Sequence, residues 1–158
     1  GSGNPHADLV FVGEGPGADE NEQGLPFVGR AGKKLTEIIE KGMKLNREQD
    51  VYICNIVKCR PPKNRDPEPD KIAACNPFLI KQLQAIRPKA IVALGKPAAS
   101  TLLGRNVPIM KERGNWYEYE GIPLMLTLHP AYLLRAYTLE NRRNVMDDMN
   151  KVLEKLRE

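Results

Sequence analysis

The chain has 158 residues, 41% hydrophobic and 28% charged, with a formal charge of +4 and a pI of about 9.0. That is one domain's length, enough to bury a sizeable core, and the composition is ordinary for a soluble globular protein. No apolar run approaches the ~20 residues of a membrane span, no signal-peptide pattern is present, and the mild basicity permits an acidic partner such as nucleic acid without demanding one.

Residues 1–7 read as loop, with His6 beside Pro5 a solvated residue. Leu9-Val10-Phe11-Val12, closing at Gly13, is a short buried strand over about 8–13. The stretch Gly13-Glu14-Gly15-Pro16-Gly17 follows and runs through Glu20 to Pro26-Phe27-Val28-Gly29. Strand, glycine-rich turn and helix set backbone N–H groups and a helix N-terminus against an anion or polar ligand. Glu14 and Glu20 make this turn a poor phosphate cradle and a better seat for water or base contacts. The competing reading is a tight turn whose glycines only relieve strain.

A first helix is expected over roughly 30–44, with Leu35, Ile38, Ile39 and Met43 on one face. A second strand, about 51–56, is continuous and apolar until Asn55. Asn55 caps the next turn or faces a ligand at the strand's carboxyl end. From Val57 to Asp70 four prolines and four cations exclude regular structure across most of the stretch, which reads as an ordered surface loop. A helix over about 70–87 puts Ile72, Cys75, Leu79, Leu83 and Ile86 on one face and is interrupted by Pro77.

The third strand is Ala90-Ile91-Val92-Ala93-Leu94-Gly95, and a short helix opens after it. Gly95 and Lys96 thus form a second turn suited to an anion, with Lys96 a candidate contact to it. Trp116 to Tyr119 reads as one strand of a small hairpin ending at Gly121. A fourth strand, Leu124-Met125-Leu126-Thr127-Leu128, leads into His129-Pro130-Ala131-Tyr132-Leu133-Leu134-Arg135. The last helix, about 140–157, turns Val145, Met149, Val152, Leu153 and Leu156 inward. Apolar strands separated by helices predict a three-layer α/β/α sandwich around a mostly parallel four-stranded sheet, the whole chain forming one domain.

Parallel strands point their carboxyl ends one way. The turn at Gly13-Glu14-Gly15, Asn55 and His129 are therefore expected on one rim. His129 is expected to titrate near neutrality and to donate a hydrogen bond or a proton.

Taken together, Gly-Glu-Gly-Pro-Gly with Pro-Phe-Val-Gly downstream, Asn-Ile-Val-Lys-Cys-Arg-Pro-Pro, and His-Pro-Ala-Tyr-Leu-Leu-Arg resemble the motifs of the family 4 uracil-DNA glycosylases, the iron–sulfur type. The resemblance covers nearly the whole chain from about residue 4. It implies hydrolysis of the N-glycosidic bond of deoxyuridine in DNA, with the base flipped into a pocket. On that likeness Phe27 stacks on uracil, Asn55 reads its Watson–Crick edge, and Glu20 stands near C5. His129 donates to O2, and Glu14 and Gly15 line the sugar and the attacking water. The better-known glycosylase families carry Asp where Gly15 stands, so a simple Asp-base mechanism does not transfer. His129 to Arg135 resembles an intercalating loop, with Leu133 and Leu134 as wedges and Arg135 on phosphate. The bland reading of the two leucines is core packing, and it holds for one of them. Many relatives have Ser where this chain has Ala131.

There are three cysteines, Cys54, Cys59 and Cys75. An odd number with no secretory signal argues against a disulfide framework and for a reducing, cytoplasmic compartment. Cys54 lies in an apolar run and reads as core. The resemblance implies a [4Fe–4S] cluster on four cysteines, of which Cys59 and Cys75 match the second pair. No cysteine precedes Cys54, so the expectation is an incomplete site, from a missing N-terminal Cys-x-x-Cys segment or from loss of the cluster. The expected partner is uracil-containing DNA, with no membrane, and the expected state is a monomer. Two other readings stay open: a non-catalytic nucleic-acid or nucleotide-binding module of the same fold, and a phosphate-binding α/β protein acting on nucleotides. The two acids in the turn count against the last.

Overall fold

A computed structural model of the chain describes residues 2–13, 30–55, 81–136 and 138–158. The strands are β1 (Ser2–Gly3), β2 (Leu9–Gly13), β3 (Val51–Asn55), β4 (Ala90–Leu94), β5 (Trp116–Tyr119) and β6 (Ile122–Thr127). The helices are α1 (Arg30–Glu37), α2 (residues 81–86), α3 (Lys96–Leu103), α4 (Ile109–Glu112), α5 (Pro130–Arg135) and α6 (Leu139–Leu156).

Among the described residues the sheet has six strands in the order β1-β3-β2-β4-β6-β5. The four central strands are mutually parallel, and both edges are antiparallel. The expected four-stranded sheet is thus the centre of a larger one. The hairpin expected at Trp116–Tyr119 joins as β5, while β1, in a segment read as loop, adds two residues beside β3.

Every residue of β2 and β4 is buried, because helices cover both faces. Alternation sorts the side chains between two cores. Leu9, Phe11, Val51, Ile53, Val92 and Met125 meet Leu35, Leu133, Val145, Met149 and Val152 on one face. Val10, Val12, Cys54, Ile91, Ala93 and Leu126 meet Leu83, Ala98, Ala99 and Leu102 on the other. The α/β/α sandwich is therefore present, with Cys54 in a core as expected.

The chain leaves β2 toward α1 on the first face and leaves β4 toward α3 on the second. Neighbouring strands whose helices depart to opposite faces open a crevice at their carboxyl ends, which is where open α/β sheets bind ligands.

Two elements depart from expectation. The helix predicted over 30–44 is α-helical only to Glu37, then continues as a wider π turn over Ile38–Gly42, with Met43 N–H donating to the Ile38 carbonyl at 2.9 Å. Gly42 lies close to Met146 of α6: a Cβ there would come within 2.9 Å of its sulfur, and the flexible methionine would have to shift. The helix expected over 70–87 is described at 81–86. It ends where Arg87 turns left-handed (φ 49°) before Pro88, a residue unable to continue a helix.

Candidate active site

The parallel register aligns the strand ends. Gly13 pairs with Asn55 across β2 and β3, and Leu94 pairs with Thr127 across β4 and β6. Beyond those pairs, Gly95 N–H donates to the Thr127 carbonyl at 2.9 Å, carrying the ladder one residue further. Three strand spacings separate the strand of Asn55 from that of His129, about 14 Å of rim. A flat six-membered ring reached by one side chain from each end fits that span.

Asn55 is 6% exposed, and its Oδ1 is buried with no hydrogen-bond partner among the described residues. An orphaned buried acceptor costs about 1–3 kcal/mol, so such groups persist where something else satisfies them. It is the feature of this rim that most directly calls for a donor from a ligand.

His129 is the N-cap of α5. Its Nδ1 accepts the Ala131 N–H at 2.9 Å, and Pro130 at the first helical position fixes the entry of the helix. An accepting Nδ1 puts the proton of the neutral ring on Nε2, making that nitrogen the donor. Burial, then the Arg135 charge, pull the imidazole down from 6.5 to about 4. The expectation that His129 titrates near neutrality is therefore corrected. At pH 7 it is a neutral donor, well suited to hydrogen-bond an oxygen that gains charge and poorly suited to carry a proton to it.

Gly95 decides how close His129 comes. Its φ is 89°, and a Cβ there would lie 2.9 Å from the His129 Cβ. Gly95→Ala should therefore cost about 1–3 kcal/mol of stability through the positive φ and the overlap. It should also displace the imidazole and cut the reaction rate more than tenfold, on the scale of catalytic misplacement. A melting curve and a rate measured on the same preparation check both.

Beside His129 lies a cavity of about 330 Å³ lined by Gly95, Lys96, Met110, Tyr132 and Arg135, among others. Lys96 and Arg135 are exposed at its mouth. Of the two leucines, Leu134 is 37% exposed and Leu133 only 1%. Leu133 is thus corrected from wedge to core, because α5 packs that side onto α1 and α6. The corner after α5 is pinned: Thr138 Oγ1 caps α6 through the Asn141 N–H, and Asn141 Nδ2 donates to the Ala136 carbonyl.

Below the rim is a buried network that sequence reasoning missed. Asp148 of α6, fully buried, accepts from Thr127 Oγ1 at 2.7 Å and from Arg113 Nη1 at 2.7 Å. Burial pushes its carboxyl up, while those two donors pull the other way. A signal was there: Asp148 is a charge on the apolar face marked by Val145, Met149 and Val152. Glu14, Gly15, Glu20, Phe27, Cys59 and Cys75 lie outside the described residues. The structure places Asn55, Lys96, His129, Leu134 and Arg135 on the carboxyl-end side of the sheet and says nothing of those six.

The uracil DNA glycosylase superfamily model matches residues 1–157. A type-4 uracil-DNA glycosylase of Thermotoga maritima is 51% identical over 154 residues, which is 96% of this chain and 79% of that protein. This chain belongs to the uracil-DNA glycosylase superfamily, in its type-4 family. Type-4 enzymes of Saccharolobus solfataricus and Archaeoglobus fulgidus are 44% and 43% identical, over 99% and 96% of this chain and 74% and 78% of theirs. Among the described residues no group of three metal-ligating side chains converges. Cys54, the described cysteine, is shut into the second core and does not fit a cluster ligand.

Proposed function

We propose that this chain removes uracil from DNA, flipping the deoxyuridine into the rim between Asn55 and His129 and hydrolysing its N-glycosidic bond. The observation that carries the reading is the Oδ1 of Asn55, without a partner among the described residues, on the same rim as a neutral, Nε2-protonated His129. Uracil N3–H donates to Oδ1 while the amide Nδ2 donates to O4. Cytosine has an acceptor at N3 and a donor at the exocyclic position, so a fixed amide rejects it by leaving buried polar groups unpaired.

The N1–C1′ bond breaks with its electron pair going to uracil N1, and the charge spreads to O2 and O4. His129 Nε2–H meets O2 there, and a preorganised donor of this kind is worth about 10²–10³ in rate. Water adds its oxygen to C1′ of the sugar and loses a proton to solvent, and the departing uracil anion takes up a proton from solvent, leaving an abasic site and free uracil. From the resemblance, Phe27 stacks on the base, Glu20 guards C5, and Glu14 with the backbone of Gly15 holds the water. Lys96, Leu134 and Arg135 meet the DNA.

The type-4 resemblance also brings in a [4Fe–4S] cluster, whose protein ligands here would be Cys59 and Cys75. These are two of the four thiolates that such a cluster takes. Among the described residues no helix is long and apolar enough to cross a membrane. The reading carries a monomeric enzyme working inside the cell, where DNA is.

The test is incubation of the chain with oligonucleotides carrying uracil, thymine or cytosine at one position, followed by alkali. Strand cleavage and free uracil from the uracil substrate alone are expected. Binding without release would leave a non-catalytic module instead.

A further inference from the structure

Among the described residues three large apolar side chains stand exposed: Met110 at 52%, Leu134 at 37% and Leu139 at 59%. Leu134 and Leu139 both ride on the segment that follows His129. Met110 is far from them in sequence, on α4, yet it lines the cavity that His129, Tyr132 and Arg135 also line. A lone exposed apolar residue needs no explanation. One set on the rim of this cavity, which the exposed cations Lys96 and Arg135 also line, does.

The turn that presents Met110 is firmly held. Ile109 packs against both cores of the sandwich. Glu112 is gripped by the Arg105 guanidinium and accepts the Tyr117 hydroxyl at 2.5 Å. Arg113, the next residue, is tied to the buried Asp148. An apolar side chain can push against a partner only if its backbone does not yield, and this backbone is braced at both ends.

We propose that Met110 is a second DNA wedge, across the cavity from α5, that packs against the base step beside the nucleotide that has left the stack. The inference rests on the glycosylase reading above. Charge complementarity selects the partner: the two cations lining the cavity suit a polyanion, and an opened base step is the polyanion surface that also offers an apolar slot. Leu134 and Met110 would then hold the stack on both sides of the gap.

The experiment compares Met110→Ala with the unaltered chain on uracil in duplex DNA and in the same strand alone. The ratio of duplex to single-strand kcat/KM is expected to fall about tenfold, since only the duplex has a stack to hold open. The melting temperature should not move, and Met110→Leu should restore the ratio. An unchanged ratio overturns the wedge. A second measurement separates this from failure of the glycosylase reading: binding to a duplex with 2-aminopurine beside the uracil. The unaltered chain should raise the fluorescence as the step opens, and Met110→Ala should lose most of the rise. An equal rise in both proteins overturns the wedge even if neither releases uracil.

Discussion

Replacing His129 with alanine should lower uracil release by about 10²–10³-fold while the chain stays folded. Two roles are lost together in that variant. The imidazole Nδ1 caps α5 by accepting from Ala131, and removing a cap costs about 0.5–2 kcal/mol. His129→Asn separates them, because asparagine is a good N-cap but does not put a ring N–H at the same place. Its melting temperature should stay near that of the unaltered chain, and its activity should be as low as that of His129→Ala. Activity near the unaltered level in either variant would remove His129 from the chemistry.

The pH dependence follows with a definite sign. The competent ring is neutral, with Nδ1 accepting and Nε2 donating. Its folded pKa is about 4, below the ordinary 6.5. The acid limb of kcat/KM should therefore fall near pH 4 rather than 6.5. Between those values the unfolded chain binds the proton and the folded chain does not. Stability from this group is present above about 6.5 and is lost as pH falls toward 4. A limb centred near 6.5 would mean that the ring is not held as described.

Asp148→Ala should be strongly destabilising, by about 3–5 kcal/mol. The alanine leaves the Arg113 guanidinium, with a side chain only 21% exposed, without its counter-charge, and removes the acceptor of the buried Thr127 hydroxyl. On a domain of this size that is a fall of roughly 10 °C in melting temperature. Asp148→Asn keeps the shape and an acceptor for Thr127, so it should lie between. Thr127 also accepts the Gly95 N–H and stands two residues before His129. Activity measured well below the melting point should therefore drop too. A shift of a degree or two in calorimetry would show the network to be dispensable.

The glycosylase motifs, the parallel sheet and its polar rim could all be read from the residues. Apolar runs of strand length, turn glycines and helical spacing are local signals that survive without knowledge of the partner strand. The two leucines after the histidine show where that ended. Leu133 and Leu134 are chemically the same, and only the docking of α5 on α1 and α6 sends one to the core and leaves the other at the surface. The π turn at Ile38–Gly42 was not visible either, since helical spacing of apolar residues does not separate an α turn from a wider one.

By itself the sequence determined the kind of layers, the family and which residue types end the strands. The tertiary structure decided the strand order that opens the crevice, the close approach of Gly95 to His129, the neutral state of that ring and the partners of Asp148. These depend on which distant groups are brought into contact and on how much water is removed from around them. A charge's pKa and a side chain's burial are properties of that surrounding, and no window of neighbouring residues contains it.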